Sequence, residues 1–448
     1  MKFDSPEALE EYIDSQRIEF YKVAVVDIDG VLRGKYMSRD KLSSALRKGF
    51  GFCDVVVGWD SQDQLYDNGQ LSGWHTGYRD ASVRLDLGTA RLLPMEDDAL
   101  LLLGNLQGSY AEACSRTILS RVVKWAQDLG FSVEAALEYE FFVFDETPHS
   151  VREKGYKDLK PFTPGMFGYS VLRSSVHANL YQDLLKTMVA LEVPIEGLHT
   201  ETGPGVIEAA LCHCPPLEAA DRAALFKTFT KVFLQQNGLM GTFMSKWSDR
   251  YPGQSGHIHL SLERDGQNVF ATPVAGEMSS TFRHFVAGQV ALLPELLPMV
   301  CSTVNAYRRL VPGFWAPTHA TWGIENRTTA VRAIPAGSAS RSEYRIGPAD
   351  ANPYLAMAAA LASGLYGIVH QLSCDEVVGN AYENASKGCA PLPSTLGEAS
   401  RAFAASSIAR ELFGAPFVEH FAASRDWEDR QFRRSVSSWD LERYFEII

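Results

Sequence analysis

Residues 133–145 read VEAALEYEFFVFD. As a β-strand this stretch puts Val133, Ala135, Leu137, Tyr139, Phe141 and Val143 in one apolar row, and a row of that kind belongs in a core. The other face carries Glu134, Ala136, Glu138, Glu140, Phe142 and Phe144. Glu138 and Glu140 therefore stand about 7 Å apart on one side, with aromatic rings beyond them. Two anions that close repel unless positive charge sits between them. A sheet with one solvated face is the plainer reading of an isolated Glu-x-Glu, because glutamate is mostly exposed. The rest of the chain decides between the two.

A chain of 448 residues is too long for one ordinary domain, and with 46% hydrophobic and 21% charged residues it has ample material for a large core. The net charge is −12 and no Lys/Arg run occurs, which argues against nucleic acid or an anionic membrane surface as a partner. Seven cysteines at positions 53, 114, 212, 214, 301, 374 and 389 form no regular framework, so reduced thiols in a cytoplasmic protein are expected. Cys212-His213-Cys214 lacks both the spacing and the partner pair of a zinc site. The acidic start, MKFDSPEALEEYIDSQ, has no apolar core of a signal peptide. Tyr354 to Leu372 is apolar but rich in Ala and Gly, which suits a closely packed buried helix rather than a membrane span.

In chain order, residues 5–17 suit a short amphipathic helix. Tyr21 to Ile28 alternates as a strand, Asp29-Gly30 signals a hairpin, and Val31 and Leu32 open its second strand. Further strands are expected at Cys53–Gly58, Ser82–Leu87 and Leu100–Leu103, making a small β-rich domain over residues 1–108. Residues 58–63, GWDSQD, read as a loop. From there to residue 448 the pattern is mixed: a helix at Ser115–Leu129 closed by Gly130, a long irregular excursion over 146–180, and helices at Asn179–Leu191 and Pro216–Gln236. The fold class is α+β.

Four further constellations accompany the opening strand. Glu201 and Glu208 flank a Gly-Pro-Gly turn in HTETGPGVIE and can point at one centre, although two solvated glutamates beside a loop would look the same. In QSGHIHLSL, His257, His259 and Ser261 share one strand face. The segment 305–332, NAYRRLVPGFWAPTHATWGIENRTTAVR, sets Arg308, Arg309, Arg327 and Arg332 among Gly, Pro and aromatic residues, a setting suited to planar recognition of carboxylate or phosphate. In RSEYR, Arg341, Glu343 and Arg345 alternate onto one face, which alone could be a structural ion-pair row. Hard divalent cations want oxygen ligands and a metal-bound triphosphate wants arginines, so the set describes metal-assisted phosphoryl transfer. No P-loop or kinase motif set is present.

These ordered motifs, with VDIDGVLRGKYMS near the start and SRSEYRIGPADANPYLAMAAALASGLYGI near the end, closely resemble glutamine synthetases of the bacterial first type and their γ-glutamyl-amine ligase relatives. The resemblance implies an N-terminal β-grasp-like domain and a catalytic domain over 109–448, built on a curved antiparallel sheet with surrounding helices. It implies one metal held by Glu140, Glu201 and Glu208 and a second held by Glu138, His257 and Glu343, with Mg²⁺ or Mn²⁺ as the ion and ATP as co-substrate. Arg309 and Glu201 would bind glutamate. Arg327, Arg332, Arg345 and Glu343 would serve phosphoryl transfer, and His259, Ser261, Arg332 and Arg341 would lie toward the nucleotide. The implied reaction phosphorylates the γ-carboxylate of glutamate and lets an amine displace the phosphate. A dodecamer of two stacked hexameric rings is implied as well, the N-terminal domain of each subunit closing its neighbour's site.

Departures from the family pattern are informative. Where ammonia-using members carry a glutamate after the Arg-Leu-Val-Pro-Gly run, this chain has Trp315. An indole in place of an anion removes the attraction for a small cation and adds apolar surface, so a larger amine that arrives neutral is expected, aniline above all. A polyamine would want carboxylates along its path, for which Asp60 and Asp63 are the candidates, and a cation–π role for Trp315 keeps alkylammonium substrates in view. Val206 replaces the usual glutamine and one residue is missing before His257. The stretch AYENASKG around Tyr382 lacks the surroundings of the family's adenylylated tyrosine, which argues against that form of regulation.

Overall fold

In the computed structural model, which describes residues 2–274, 276–384 and 389–448, the strand Ser132–Phe144 runs through the middle of a nine-stranded sheet. Gly256–Arg264 pairs with it antiparallel on one side and Val206–Leu211 on the other. Beyond Gly256–Arg264 follow Arg341–Tyr344, Val331–Ile334 and Trp322–Ile324. The apolar row behaves as its spacing predicts. Val133, Ala135, Leu137, Tyr139 and Phe141 are buried while Glu134, Glu138 and Glu140 are half-buried on the opposite face. Tyr139 and Phe141 pack on Phe226 of the helix Pro216–Gln236 and on Phe243. Alternation fails at Phe142 and Phe144, which are buried on the carboxylate side in a small cluster with Val206 and Trp247. That cluster closes the end of the strand, so the two carboxylates sit between a dry wall and the open face.

Behind the sheet the helices Pro216–Gln236, Ser280–Val300 and Pro353–Val369 form the main core. The Ala/Gly composition of the last one reflects a close crossing: a Cβ on Gly288 would lie 2.1 Å from the carbonyl oxygen of Ser363 and 2.6 Å from Gly367 Cα. Among the described residues no helix is long and apolar enough to cross a membrane, and all seven cysteines are free.

A six-stranded sheet occupies the N-terminal part. Phe20–Val26 pairs antiparallel with Leu32–Met37 and parallel with Ala99–Leu106, the mixed order of a β-grasp-like arrangement. The Asp27 carboxylate accepts the N–H groups of Asp29 and Val31 at 3.0 and 2.8 Å and so closes the hairpin turn. That turn abuts Asn352, whose side chain caps the helix Pro353–Val369 and donates to the carbonyls of Asp27 and Ile28 at 3.3 and 3.1 Å.

Two sequence expectations are corrected. Cys53–Gly58 is not a strand: Phe50–Cys53 is, and Asp54–Val57 coils into a 3-10 turn. The Asp54 carboxylate, fully buried, accepts the hydroxyls of Ser72, Thr76 and Tyr110, and that hub overrides the β preference of the valines. The excursion over 146–180 is not structureless, since it holds two short helices, Pro148–Glu153 and Val171–Val176, capped by Thr147 and Ser170.

Candidate active site

Register across the sheet brings the sequence-distant motifs together. Glu138 stands opposite His257, Glu140 opposite Glu208, His259 opposite Glu343, and Glu343 opposite Arg332. His257 Nδ1 lies 2.6 Å from Glu138 Oε1 and 3.3 Å from Glu343 Oε1, and His259 Nε2 lies 3.4 Å from Glu138 Oε2. Arg332 donates to Glu343 at 2.9 Å, and Arg345 pairs with the other carboxylate oxygen. Burial pushes the Glu138 carboxyl up, but hydrogen bonds from His257 and His259 outweigh it and hold the group well below its ordinary value. Glu343 behaves likewise. Burial opposes its ionisation, yet Arg345 and His257 bring it down to about 2.

Two cavities of about 590 and 580 Å³ meet at Glu138, His259 and Arg341. The first is lined by Glu140, Glu201 and Glu208 together with Arg309, Arg327, Arg332 and Arg345, and by Phe314 and the exposed Trp315. Ser261 lies in the second, together with Glu196 and His213. Arg309 is buried and fixed by donation to Ile346 O at 3.0 Å. Glu140 accepts the Ser255 N–H at 2.7 Å, and its carboxyl is pushed up to about 7 by burial and by the neighbouring Glu208 anion.

These residues fit divalent cations. Glu140 resists ionisation beside Glu208, as a buried carboxylate does next to another anion, and an oxygen-rich lining is what Mg²⁺ or Mn²⁺ takes. Glu138, His259 and Glu343 offer ligand atoms within 4.8 Å of one another, while His257 keeps Nδ1 on the same carboxylates and leaves a buried, unpartnered Nε2. Geometry thus brings both histidines to the second expected centre, where the sequence reading had assigned His257 alone. An ion bound among these carboxylates would offset charge on phosphate and carboxylate oxygens.

Asp60 is not brought to either cavity. Its carboxylate accepts the N–H groups of Gln62 and Gln64 at 2.8 Å each and shapes its own loop, while Asp63 pairs with Arg33. Sequence reasoning missed Tyr169 and Phe314. Tyr169 lines the cavity that holds Arg309, stacks on His199 with ring centroids 4.4 Å apart, and has φ 54°. Trp315 has φ 59° and Glu325, which bonds Arg332, has φ 49°. Left-handed backbone at bulky residues is strained, and strain of this sort gathers at working sites. Of the AYENASKG stretch, residues 385–388 lie outside the described residues.

Carboxylates, imidazoles and arginines converging where two cavities meet suit metal-assisted phosphoryl transfer. Residues 112–444 match the glutamine synthetase catalytic domain, and the chain belongs to the glutamine synthetase family. It is 44% identical over 438 residues to type-1 glutamine synthetase 2 of Dictyostelium discoideum, covering 96% of this chain and 84% of that one. It is 35% identical over 446 residues to glutamate–isopropylamine ligase of a Pseudomonas species, covering 98% and 97%. Among solved structures, a GmaS/ADP complex superposes with a TM-score of 0.85 at 25% identity, over 98% of this chain and 99% of that one.

Proposed function

We propose that this enzyme joins the γ-carboxylate of glutamate to a small organic amine, aromatic or apolar, at the expense of ATP. The carrying observation is the rim of the glutamate-side cavity, where Trp315 and Phe314 stand and no carboxylate occupies position 315. Arg309 anchors glutamate, and the nucleotide occupies the cavity holding Ser261 and His259. A γ-carboxylate oxygen of glutamate attacks the terminal phosphorus of ATP, the bond to the bridging oxygen breaks and ADP departs. Arg327, Arg332 and Arg345 hold the charge that spreads over the moving phosphoryl group. The amine nitrogen then attacks the γ-carbonyl carbon, the C–O bond to phosphate breaks, and the nitrogen's surplus proton passes to the departing phosphate. A neutral arylamine needs no base before attack, which suits a rim without a carboxylate at position 315.

The isopropylamine-ligating relative supports an organic nucleophile. The Dictyostelium relative supports the second reading, ammonia as nucleophile. Phosphate release coupled to glutamate, ATP and Mg²⁺ separates them when ammonium, putrescine, isopropylamine and aniline are compared. An organic amine should be turned over best, and faster turnover of ammonium than of every organic amine would overturn the proposal. We also read the enzyme as a ring assembly in which the Asp60 loop serves a neighbouring subunit. A monomer by mass photometry would refute that.

A further inference from the structure

Residues 374–384 pass back over the arginine-bearing segment 322–332 and are stitched to it. Val377 N–H donates to the carbonyl of Trp322 at 2.9 Å, the Asn326 side chain donates to the carbonyls of Val377 and Gly379 at 3.0 and 2.8 Å, and Ala381 N–H donates to Thr328 Oγ1 at 3.0 Å. Backbone pinned at this density leaves the next side chain, Tyr382, little freedom. Its hydroxyl oxygen is buried without a hydrogen-bond partner. Beside it lie the backbone N–H groups of Trp315 and Ala316 and the charged groups of Arg309 and Arg345. All of these neighbours are donors. A buried hydroxyl facing donors but bonded to none needs an explanation, and a small inward movement of residues 313–316, the flap that carries Phe314 and Trp315, would satisfy it.

The flap needs such a hold. Gly313 has φ 84° and Trp315 φ 59°, and a bulky residue persists in left-handed backbone when its surroundings enforce it. One side is held by Lys246, whose ammonium lies 4.4 Å from the centre of the Phe314 ring. Tyr382 lies beside the next two residues, Trp315 and Ala316.

We propose that Tyr382 is a positioning residue for this flap: its hydroxyl accepts from the Trp315–Ala316 backbone when the site is loaded, keeping the indole over the reacting γ-carboxyl group and water out. This rests on the reading of the cavity as the glutamate and amine site. An acyl phosphate reacts with water as well as with amines, so a loose flap releases phosphate without forming amide. The buried oxygen is also withdrawn from any modifying enzyme, in keeping with the altered sequence around it.

Tyr382→Phe keeps the ring and removes the oxygen. With the nucleophile the wild type uses best, hydroxylamine included, the KM for that nucleophile should rise roughly fivefold, the effect of losing one neutral hydrogen bond. The KM for ATP should stay constant, and phosphate released per amide formed should climb well above one. Thr328→Val, which cuts one pin of the strap, should move both readouts the same way, and unfolding midpoints show whether either variant is grossly destabilised. Wild-type values of both readouts in Tyr382→Phe would overturn the inference alone, as would equal rises in KM for ATP, glutamate and nucleophile. A wild type that forms amide with none of ammonium, putrescine, isopropylamine, aniline and hydroxylamine would overturn the site reading and this inference together.

Discussion

An indole at position 315 offers polarisable surface where a carboxylate would offer a full charge, and the difference is worth about tenfold in attraction for a cation at a half-exposed rim. Trp315→Glu should therefore lower the KM for ammonium about tenfold and depress turnover of an aromatic amine by at least as much, read from steady-state kinetics with both nucleophiles. Glu138 faces His257 and His259 across the junction of the two cavities. Glu138→Gln should weaken metal activation and reduce turnover by roughly a hundredfold or more, as a Mn²⁺ titration of activity would show. Both residues were legible in the sequence, Glu138 because strand alternation assigns it a face and Trp315 because it breaks a motif. Tyr169 and Phe314 were not, because loop side chains have no periodicity to say where they point.

At the level of elements, the helices Ser280–Val300 and Pro353–Val369 touch backbone to backbone at Gly288 and Gly367. Gly288→Ala inserts a methyl group against a carbonyl oxygen that cannot rotate away, so about 1–3 kcal/mol of stability should be lost, visible as a lower urea midpoint. Long periodic elements were readable: the strand from Ser132, the helix from Pro216 and the buried helix from Pro353 all lie where spacing put them. Short ones were not. The valines after Asp54 have strand propensity, but a buried carboxylate collecting three hydroxyls from distant residues decides their backbone. Arg309, Arg327 and Arg332 of the segment 305–332 line the cavity while Arg308 instead lies over the Phe432 ring, a split the sequence did not show, and the pairing of Arg332 with Glu343 depends on a strand register that no local pattern encodes.

Over the whole molecule, the N-terminal sheet and the helical layer are tied by buried polar joints. Arg116, 1% exposed, bonds Asp221 twice at 2.8 Å and reaches Asp86 at 3.1 Å, and Arg425 pairs with Asp29 at 2.8 Å. Arg116→Met would strand the Asp221 carboxylate and should cost about 3–5 kcal/mol in a denaturation experiment. On the helix Ala415–Arg434, His420 is buried with neither ring nitrogen bonded, and burial with the nearby Arg425 charge lowers its pKa to about 4. Because that is below the unfolded value of about 6.5, the unfolded chain takes up the proton first and stability falls as pH drops from about 6.5 toward 4. Between pH 7 and pH 5 this side chain should account for roughly 2 kcal/mol, and His420→Leu should shrink the pH dependence of the unfolding free energy by that amount. The two cavities that meet at Glu138, His259 and Arg341 have a consequence for how such a catalyst can be rebuilt. Trp315 and Phe314 line only one of them, while Ser261, Glu196 and His213 line only the other. If the amine enters past the first pair as proposed, an exchange at position 315 should change the nucleophile and leave the affinity for ATP as it was.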